Sequence, residues 1–381
     1  MKSVALITEY NPFHNGHLYH AMESKSITGA DVSIAIMSGS FVMRGEPAMY
    51  NKFTRAQMAL SAVDLVVELP IYGALSAGQH FADMGVRVAD YMAADSLCFG
   101  SESGDITALQ SCAETLTQIK ARPAFHTAMK AGASYAQTLS ELSGNHPLLQ
   151  SPNNTLGLSY LQALMQHAPH ITPYTIRRDR SAHHHTAIDD HTYASGTAIR
   201  NAIMTNDALW HNVTPAQNHT LFAQQAPVSV DHTFQLLKFA TLSMSIEALR
   251  AIHTMSEGFE YRLKSAITRV DNYADLMHAL KTKRYTYTHI QRILMNVLLG
   301  LKQANKPNQL DGVRILAMSH NGQRYLKQLK QQYPERHYVT NVTQAHALRF
   351  QHEIHTTHVY NLISGHHATD FNTPVIRPDR H

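Results

Sequence analysis

Two cysteines in 381 residues, Cys98 and Cys112, are too few for a disulfide framework and lack the paired spacing of a zinc site. Each is expected as a small buried hydrophobe. No uninterrupted apolar stretch is long enough to span a bilayer. After Met1-Lys2-Ser3 only a short apolar run precedes Glu9, so the apolar region of a secretory signal is missing and the expected location is cytoplasmic. The pattern G-x-x-x-x-G-K-[ST] is absent, no two glycines stand two apart, and no G-x-S-x-G element occurs. Those absences weigh against a P-loop, a dinucleotide fingerprint and a serine hydrolase. With 44% hydrophobic and 16% charged residues the composition is that of a folded protein, without repeats or low-complexity segments.

Charge of either sign is modest but unevenly placed. Residues 1–205 carry 13 Lys and Arg against 16 Asp and Glu, whereas residues 206–381 carry 19 against 12. A slightly acidic front and a basic back suit a catalytic part joined to a part that meets a polyanion.

The front alternates β-type and helical patterns. Apolar runs at 4–8, 32–37, 65–69 and 96–99 read as strands, with helices at 17–29, 50–62 and 76–92 between them and a connection over 38–49. This order implies an α/β fold with a mostly parallel sheet, whose ligands bind beyond the carboxyl ends of the strands. Helical segments over 105–143, a helix at 155–167 and a strand at 173–178 follow, then a polar loop and another helix from Ser195. A polar linker containing Trp210 is expected over 201–232, and four helices between 234 and 304. A strand, helix, strand and one or two helices lead to a loose tail at 371–381. Three parts are therefore expected: 1–205, an α/β catalytic domain; 206–305, a basic helical region; and 306–381, a small α/β part with the tail.

The chain's strongest local signal is Ile7-Thr8-Glu9-Tyr10-Asn11-Pro12-Phe13-His14-Asn15-Gly16-His17-Leu18-Tyr19-His20. It leaves the first strand and enters a helix. Gly16 lets a ligand approach the backbone, free N–H groups at a helix start favour an anion, and His14 and His17 place imidazoles beside it. In nucleotidyl transfer such groups stabilise charge as it grows on phosphate oxygens. Ser195-Gly196-Thr197-Ala198-Ile199-Arg200 is the counterpart: hydroxyls at a helix start, with a guanidinium one turn later, suit the β- and γ-phosphates. Arg44 and Lys52 are further candidates for contact with a carboxylate or phosphate. His183-His184-His185 with Asp189, Asp190 and His191 has the residue types of a metal site but not the spacing, so no metal ligand is assigned. The expected ion is Mg²⁺ carried by ATP.

The H-x-G-H after the first strand, paired with a late S-x-T-x-I-R, is similar to the nucleotidyltransferase superfamily of class I aminoacyl-tRNA synthetases and small-molecule adenylyltransferases. More closely, residues 9–17, the segment Met37-Ser38-Gly39-Ser40-Phe41-Val42-Met43-Arg44-Gly45-Glu46-Pro47-Ala48 and Lys283-Arg284-Tyr285-Thr286-Tyr287-Thr288 resemble the tRNA(Met) cytidine acetate ligase family. The resemblance implies a Rossmann-like nucleotidyltransferase domain and an ATP-dependent ligase. Such an enzyme activates acetate as acetyl-adenylate and transfers the acetyl group to N4 of the wobble cytidine of elongator tRNA(Met).

It further implies that residues 7–20 bind ATP, with His14 and His17 at the phosphates. Gly100, Asn153 or Asn154, Arg177 with Arg178, and Ser195 with Thr197 would complete the nucleotide site. The superfamily's second motif reads Ile-Ser-Ser-Thr-Lys-Ile-Arg, and here Ala198 stands where it has lysine. Arg177, Arg178 or Arg200 would have to supply that charge.

Between 259 and 306 nine basic residues face three acidic ones. Lys281, Lys283, Arg284 and Arg292 would neutralise tRNA phosphates while Tyr285 and Tyr287 stack on bases. The expected partners are acetate and the tRNA, with no membrane and no stable protein partner. Two other readings are a small-molecule adenylyltransferase, which leaves the basic region without a task, and a non-catalytic RNA-binding protein, which leaves His14 and His17 without one.

Overall fold

A computed structural model describes every residue except 132–134, 179–187, 189–191 and 379–381. The histidine and aspartate run at 183–185 and 189–191 lies outside the described residues. Strands β1 (Ser3–Thr8), β2 (Val32–Ser38), β5 (Leu65–Leu69), β6 (Ser96–Ser101), β7 (Thr172–Arg177), β8 (Val313–Met318) and β9 (Tyr338–Val339) form one sheet in the order β7-β6-β1-β2-β5-β8-β9. The five from β7 to β5 are parallel, β8 runs antiparallel to β5, and β9 is parallel to β8.

Burial on both faces explains why the strand sequences are continuously apolar. Ala5, Ile34, Ile36 and Val67 face one side, against Phe81, Val86 and Val88 of the helix Gly78–Tyr91. Val4, Leu6, Ala35 and Met37 face the other, against Ala21 of the helix Asn15–Thr28 and Phe53, Ala56 and Met58 of the helix Lys52–Ala59. Cys98 and Cys112 are free and buried, as expected. From β1 the chain builds outward through β2 and β5, then returns to place β6 and β7 on β1's other side. The order reverses between β1 and β6, so a crevice opens at their carboxyl ends.

Several expectations change. The connection over 38–49 contains a two-stranded hairpin, β3 (Phe41–Val42) with β4 (Glu46–Pro47). The segment read as a linker packs down: Trp210 lies 4.8 Å from Phe222, which is buried against Tyr50. The helical pattern of 234–254 is two helices, Phe234–Ser243 and Ile246–Arg250. Their core, around Leu237, Leu263, Leu276 and Leu294, takes in Phe41, Ile71 and Tyr72 from the front of the chain. Both strands of the 306–381 part join the main sheet.

The tail is not loose over its described length. Because β9 pairs only with Val313 and Arg314, the later edge of β8 is left open, and Ile376 bonds there to Leu316 and Met318. Next to it, buried Asp370 meets Lys52 at 2.9 Å and Arg314 at 3.7 Å. Among the described residues no helix is long and apolar enough to cross a membrane.

Candidate active site

The chain leaves β1 at Thr8 and turns sharply. Tyr10 adopts φ 47°, uncommon for a bulky residue, and is held by its ring packing 4.8 Å from Phe13 and 4.9 Å from His17. Asn11 fixes the turn on both sides: its side chain accepts from Met49 N at 2.7 Å, and its carbonyl accepts from Arg200 Nη1 at 2.9 Å. The helix Asn15–Thr28 thus begins earlier than periodicity implied, because His14 is its cap, with Nδ1 accepting from Gly16 N at 3.1 Å. An accepting Nδ1 puts the proton of a neutral ring on Nε2. The His14 and His17 rings stack with centroids 3.7 Å apart.

Burial dominates the electrostatics. It drives the pKa of His17 well below the ordinary value, with His14, Arg178 and His20 adding repulsion. His20 is lowered to about 4 by burial and by Arg178. His17 Nδ1 and His20 Nε2 are buried without hydrogen-bond partners among the described residues. Burial also pushes the Glu9 carboxyl up, reinforced by Glu46 and partly offset by the Met43 N–H, Arg200 and Arg44.

Two cavities meet at this turn. The first, about 690 Å³, has apolar walls from Ile7, Phe81, Phe99, Leu156, Tyr160 and Ile176, and its size suits a small molecule. The second, about 1210 Å³, runs from Ser195, Thr197 and Arg200 to Lys283, Arg284, Tyr285 and Arg292 of the helical region. Glu9, His14, His17, Met43, Asn153, Leu156 and Arg178 line both.

Most of the residues expected in the site gather here. Ile7, Thr8, Glu9, Tyr10, Asn11, His14, Gly16, His17, Tyr19 and His20 line one cavity or the other, as do Gly100, Arg177, Arg178, Ser195 and Thr197. Pro12, Phe13, Asn15 and Leu18 do not. Phe13 and Leu18 pack into the core, and Asn15 Nδ2 reaches the carbonyls of Thr192 and Asn212 at 3.1 and 3.2 Å. The asparagine pair separates: Asn153 lines the cavities and accepts from Arg178 Nη1 at 3.1 Å, whereas buried Asn154 accepts from the N–H groups of Glu102 and Ser103. A Cβ on Gly100 would stand 2.7 Å from Arg178 Cδ, so glycine there lets the arginine cross the end of β6.

The HIGH Nucleotidyl Transferase family matches residues 1–373. A tRNA(Met) cytidine acetate ligase of Staphylococcus carnosus is 59% identical over 377 residues, covering 99% of this chain and 98% of that protein. The chain belongs to the tRNA(Met) cytidine acetate ligase family. Another ligase of this name, from Staphylococcus aureus strain MRSA252, is 50% identical over 380 residues and the full length of both chains. The crystal structure of Thermotoga maritima TmcAL, apo form I, matches with a TM-score of 0.89 at 26% identity over 99% of each chain. TmcAL of the same organism bound with alpha-thio ATP, form II, matches with a TM-score of 0.85 at 26% identity, over 99% of this chain and 100% of that one.

In this ligase-family chain the basic helical cluster divides into two kinds. Arg262 donates to the Ala279 carbonyl, Lys264 to Leu242 O, Lys281 to Thr282 O and Tyr285 O, and Arg292 to Met43 O at 3.2 Å, so these cations hold backbone in place. Lys283 and Arg284 are exposed and face the second cavity, with Arg284 over the Tyr285 ring at 5.5 Å. Lys281 and Tyr287 lie outside the cavity lining.

Lys52 is corrected. It is buried in an ion cluster and lines neither cavity, because Glu68 on β5 and Asp370 hold its ammonium away from the crevice. Arg44 does line the second cavity.

Sequence reasoning missed Arg55, which is fully buried and donates to the carbonyls of Glu9, Ser38, Gly39 and Tyr50. It ties the ends of β1 and β2 together. No local pattern marks it, since an arginine on a short helix normally reads as solvated. The aromatic wall from Phe81, Phe99 and Tyr160 was legible only as generic core.

Proposed function

We propose that the protein is an ATP-dependent ligase that condenses acetate with ATP and then transfers the acetyl group to N4 of the wobble cytidine of elongator tRNA(Met), in the cytoplasm. One observation carries the reading. An apolar-walled cavity of nucleotide size and a wider cavity reaching Lys283, Arg284 and Tyr285 meet at His14, His17 and Arg178. Two substrates of different size can therefore reach one reaction centre.

In the first step acetate oxygen attacks the α-phosphorus and pyrophosphate leaves. His14 Nε2–H and the backbone N–H groups at the start of the helix Asn15–Thr28 donate to the oxygens where negative charge grows. His17 takes up a proton as the phosphates arrive, because their charge reverses the effect of burial. Arg178, together with Ser195 and Thr197 at the start of the helix Gly196–Met204, holds the outer phosphates and takes over from the missing lysine. Adenine fits between the apolar walls of the first cavity, over Gly100.

Among the described residues no group of three or more His, Cys, Asp or Glu is placed to hold a metal. Mg²⁺ enters as part of the nucleotide substrate, held by phosphate oxygens and water. In the second step the cytosine amine attacks the acetyl carbonyl and AMP leaves, helped by close positioning of a weak nucleophile and an activated anhydride. Neither a membrane nor a stable protein partner has a part in this reading.

The test is incubation of the protein with labelled acetate, ATP and total tRNA, omitting each in turn. Label should enter tRNA only when all three are present. Label in tRNA without ATP, or adenylation of a phosphorylated small molecule instead, would sink the proposal.

A further inference from the structure

Acetyl transfer needs a group that takes a proton from N4, and the histidines do not offer one easily: His14 and His17 stack on each other and serve the phosphates. Glu9 stands where the two cavities join and is the only carboxylate lining either of them among the described residues. Its Oε1 accepts from Met43 N at 2.6 Å, and no described donor reaches Oε2. Met43 in turn is held through its carbonyl by Arg292, on the helix Tyr287–Leu298 that follows Lys283, Arg284 and Tyr285. The carboxylate is thus fixed by one oxygen at the junction of the two cavities, where a base arriving from the helical side would meet an adenylate.

We propose that Glu9 is the general base of the acetyl-transfer step, accepting a hydrogen bond from the cytosine amino group and then its proton. This rests on the ligase reading above. The exocyclic amine of cytosine is a donor that carboxylates commonly recognise. It is a feeble nucleophile, because its lone pair is shared with the ring. As N4 attacks the acetyl carbonyl carbon, the C–N bond forms and Glu9 takes one N4 proton. The tetrahedral intermediate then collapses, the acyl C–O bond breaks, and its electron pair leaves on the phosphate oxygen of AMP. Glu9 finally releases the proton to water.

The charged and titratable groups facing Glu9 come from every side of the junction: Glu46 on β4, Arg44 in the hairpin turn, buried Arg55 on the helix Lys52–Ala59, Arg200 on the helix Gly196–Met204, Tyr160 on the helix Pro152–His167, and His14, His17 and Arg178. Burial and Glu46 outweigh the cations and raise its pKa above the usual carboxylate range. A base poised nearer neutrality is the more effective one.

The experiment separates the two half-reactions. Single-turnover transfer from preformed acetyl-adenylate to tRNA reads the second, and acetate-dependent ATP–pyrophosphate exchange reads the first. For the natural protein, transfer should rise with pH and level off above the Glu9 pKa. Glu9→Gln keeps an oxygen for Met43 N–H, so the loop should hold, but it cannot take a proton. Its transfer rate should fall about 100-fold or more beyond any loss in exchange, with a flat pH profile.

Glu9→Asp, which keeps the carboxylate, should transfer more slowly yet retain the rising limb. Equal losses in both half-reactions for Glu9→Gln, a retained rising limb in that variant, or a flat profile for Glu9→Asp would each overturn the assignment. Failure of the natural protein to support acetate-dependent exchange would overturn the ligase reading itself, a different result.

Discussion

His14 and His17 stack at 3.7 Å at a helix start, and burial, with the neighbouring His14, keeps the His17 ring uncharged until a polyanion arrives. His14→Ala and His17→Ala should each abolish acetate-dependent ATP–pyrophosphate exchange while leaving tRNA affinity within about twofold. Gel-shift titration beside the exchange assay checks this. The depressed pKa values of His17 and His20 also predict proton uptake when ATP binds near pH 6, since phosphate charge restores the protonated forms. Calorimetry in two buffers of different ionisation enthalpy reads it directly, and zero uptake would mean these rings do not face phosphate. The sign for stability follows from the same groups. Between about pH 4 and 6.5 the unfolded chain binds a proton that folded His20 refuses, so stability falls on acidification through that window.

At the scale of elements, a mostly parallel sheet with its site beyond the strands' carboxyl ends was legible in advance, because alternating apolar runs and helices leave few architectures open; that the crevice falls between β1 and β6 was not, since no local pattern sets the strand order. The H-x-G-H turn was legible because glycine and histidine there have few structural uses. Arg55 and the buried side of Lys52 were not legible, since their partners are backbone carbonyls and carboxylates far away in sequence. The helical region showed its charge but not which cations were already occupied. Lys283 and Arg284 remain exposed to solvent, whereas Arg292 is drawn to Met43 O. Substituting Lys283 and Arg284 together by alanine should weaken tRNA binding and reduce the slope of log affinity against log salt by roughly one to two. Exchange without tRNA should change little. Filter binding across a salt series measures the slope, and an unchanged slope would place the tRNA elsewhere.

On the scale of the whole molecule, Ile376 binds the late segment to β8 and Asp370 binds it to Lys52 in the front half. Lys52 Nζ reaches Glu68 at 2.8 Å and Asp370 Oδ2 at 3.0 Å, and Thr357 Oγ1 donates to the same aspartate at 2.8 Å. Burial alone would raise the Asp370 pKa, but Lys52, Thr357 and Arg314 overcome it and hold the carboxyl below its usual range. Asp370→Ala leaves buried cations short of a counter-charge and should cost about 3–5 kcal/mol. Denaturant titration should show the midpoint falling with an unchanged slope. A midpoint within error of the natural protein's would mean that water or Glu68 alone satisfies Lys52.

Lys52 and Asp370 lie 318 residues apart in the chain. At roughly 5–20 residues per second of synthesis, the buried ammonium waits on the order of 15–60 s for its second carboxylate. Over the later part of that interval the strands and helices that frame the nucleotide crevice have been made, yet the charge on Lys52 is only partly balanced. The ion cluster around Lys52 is therefore completed late in synthesis, and a chain stalled before residue 370 should be a better substrate for proteases than its length alone would suggest.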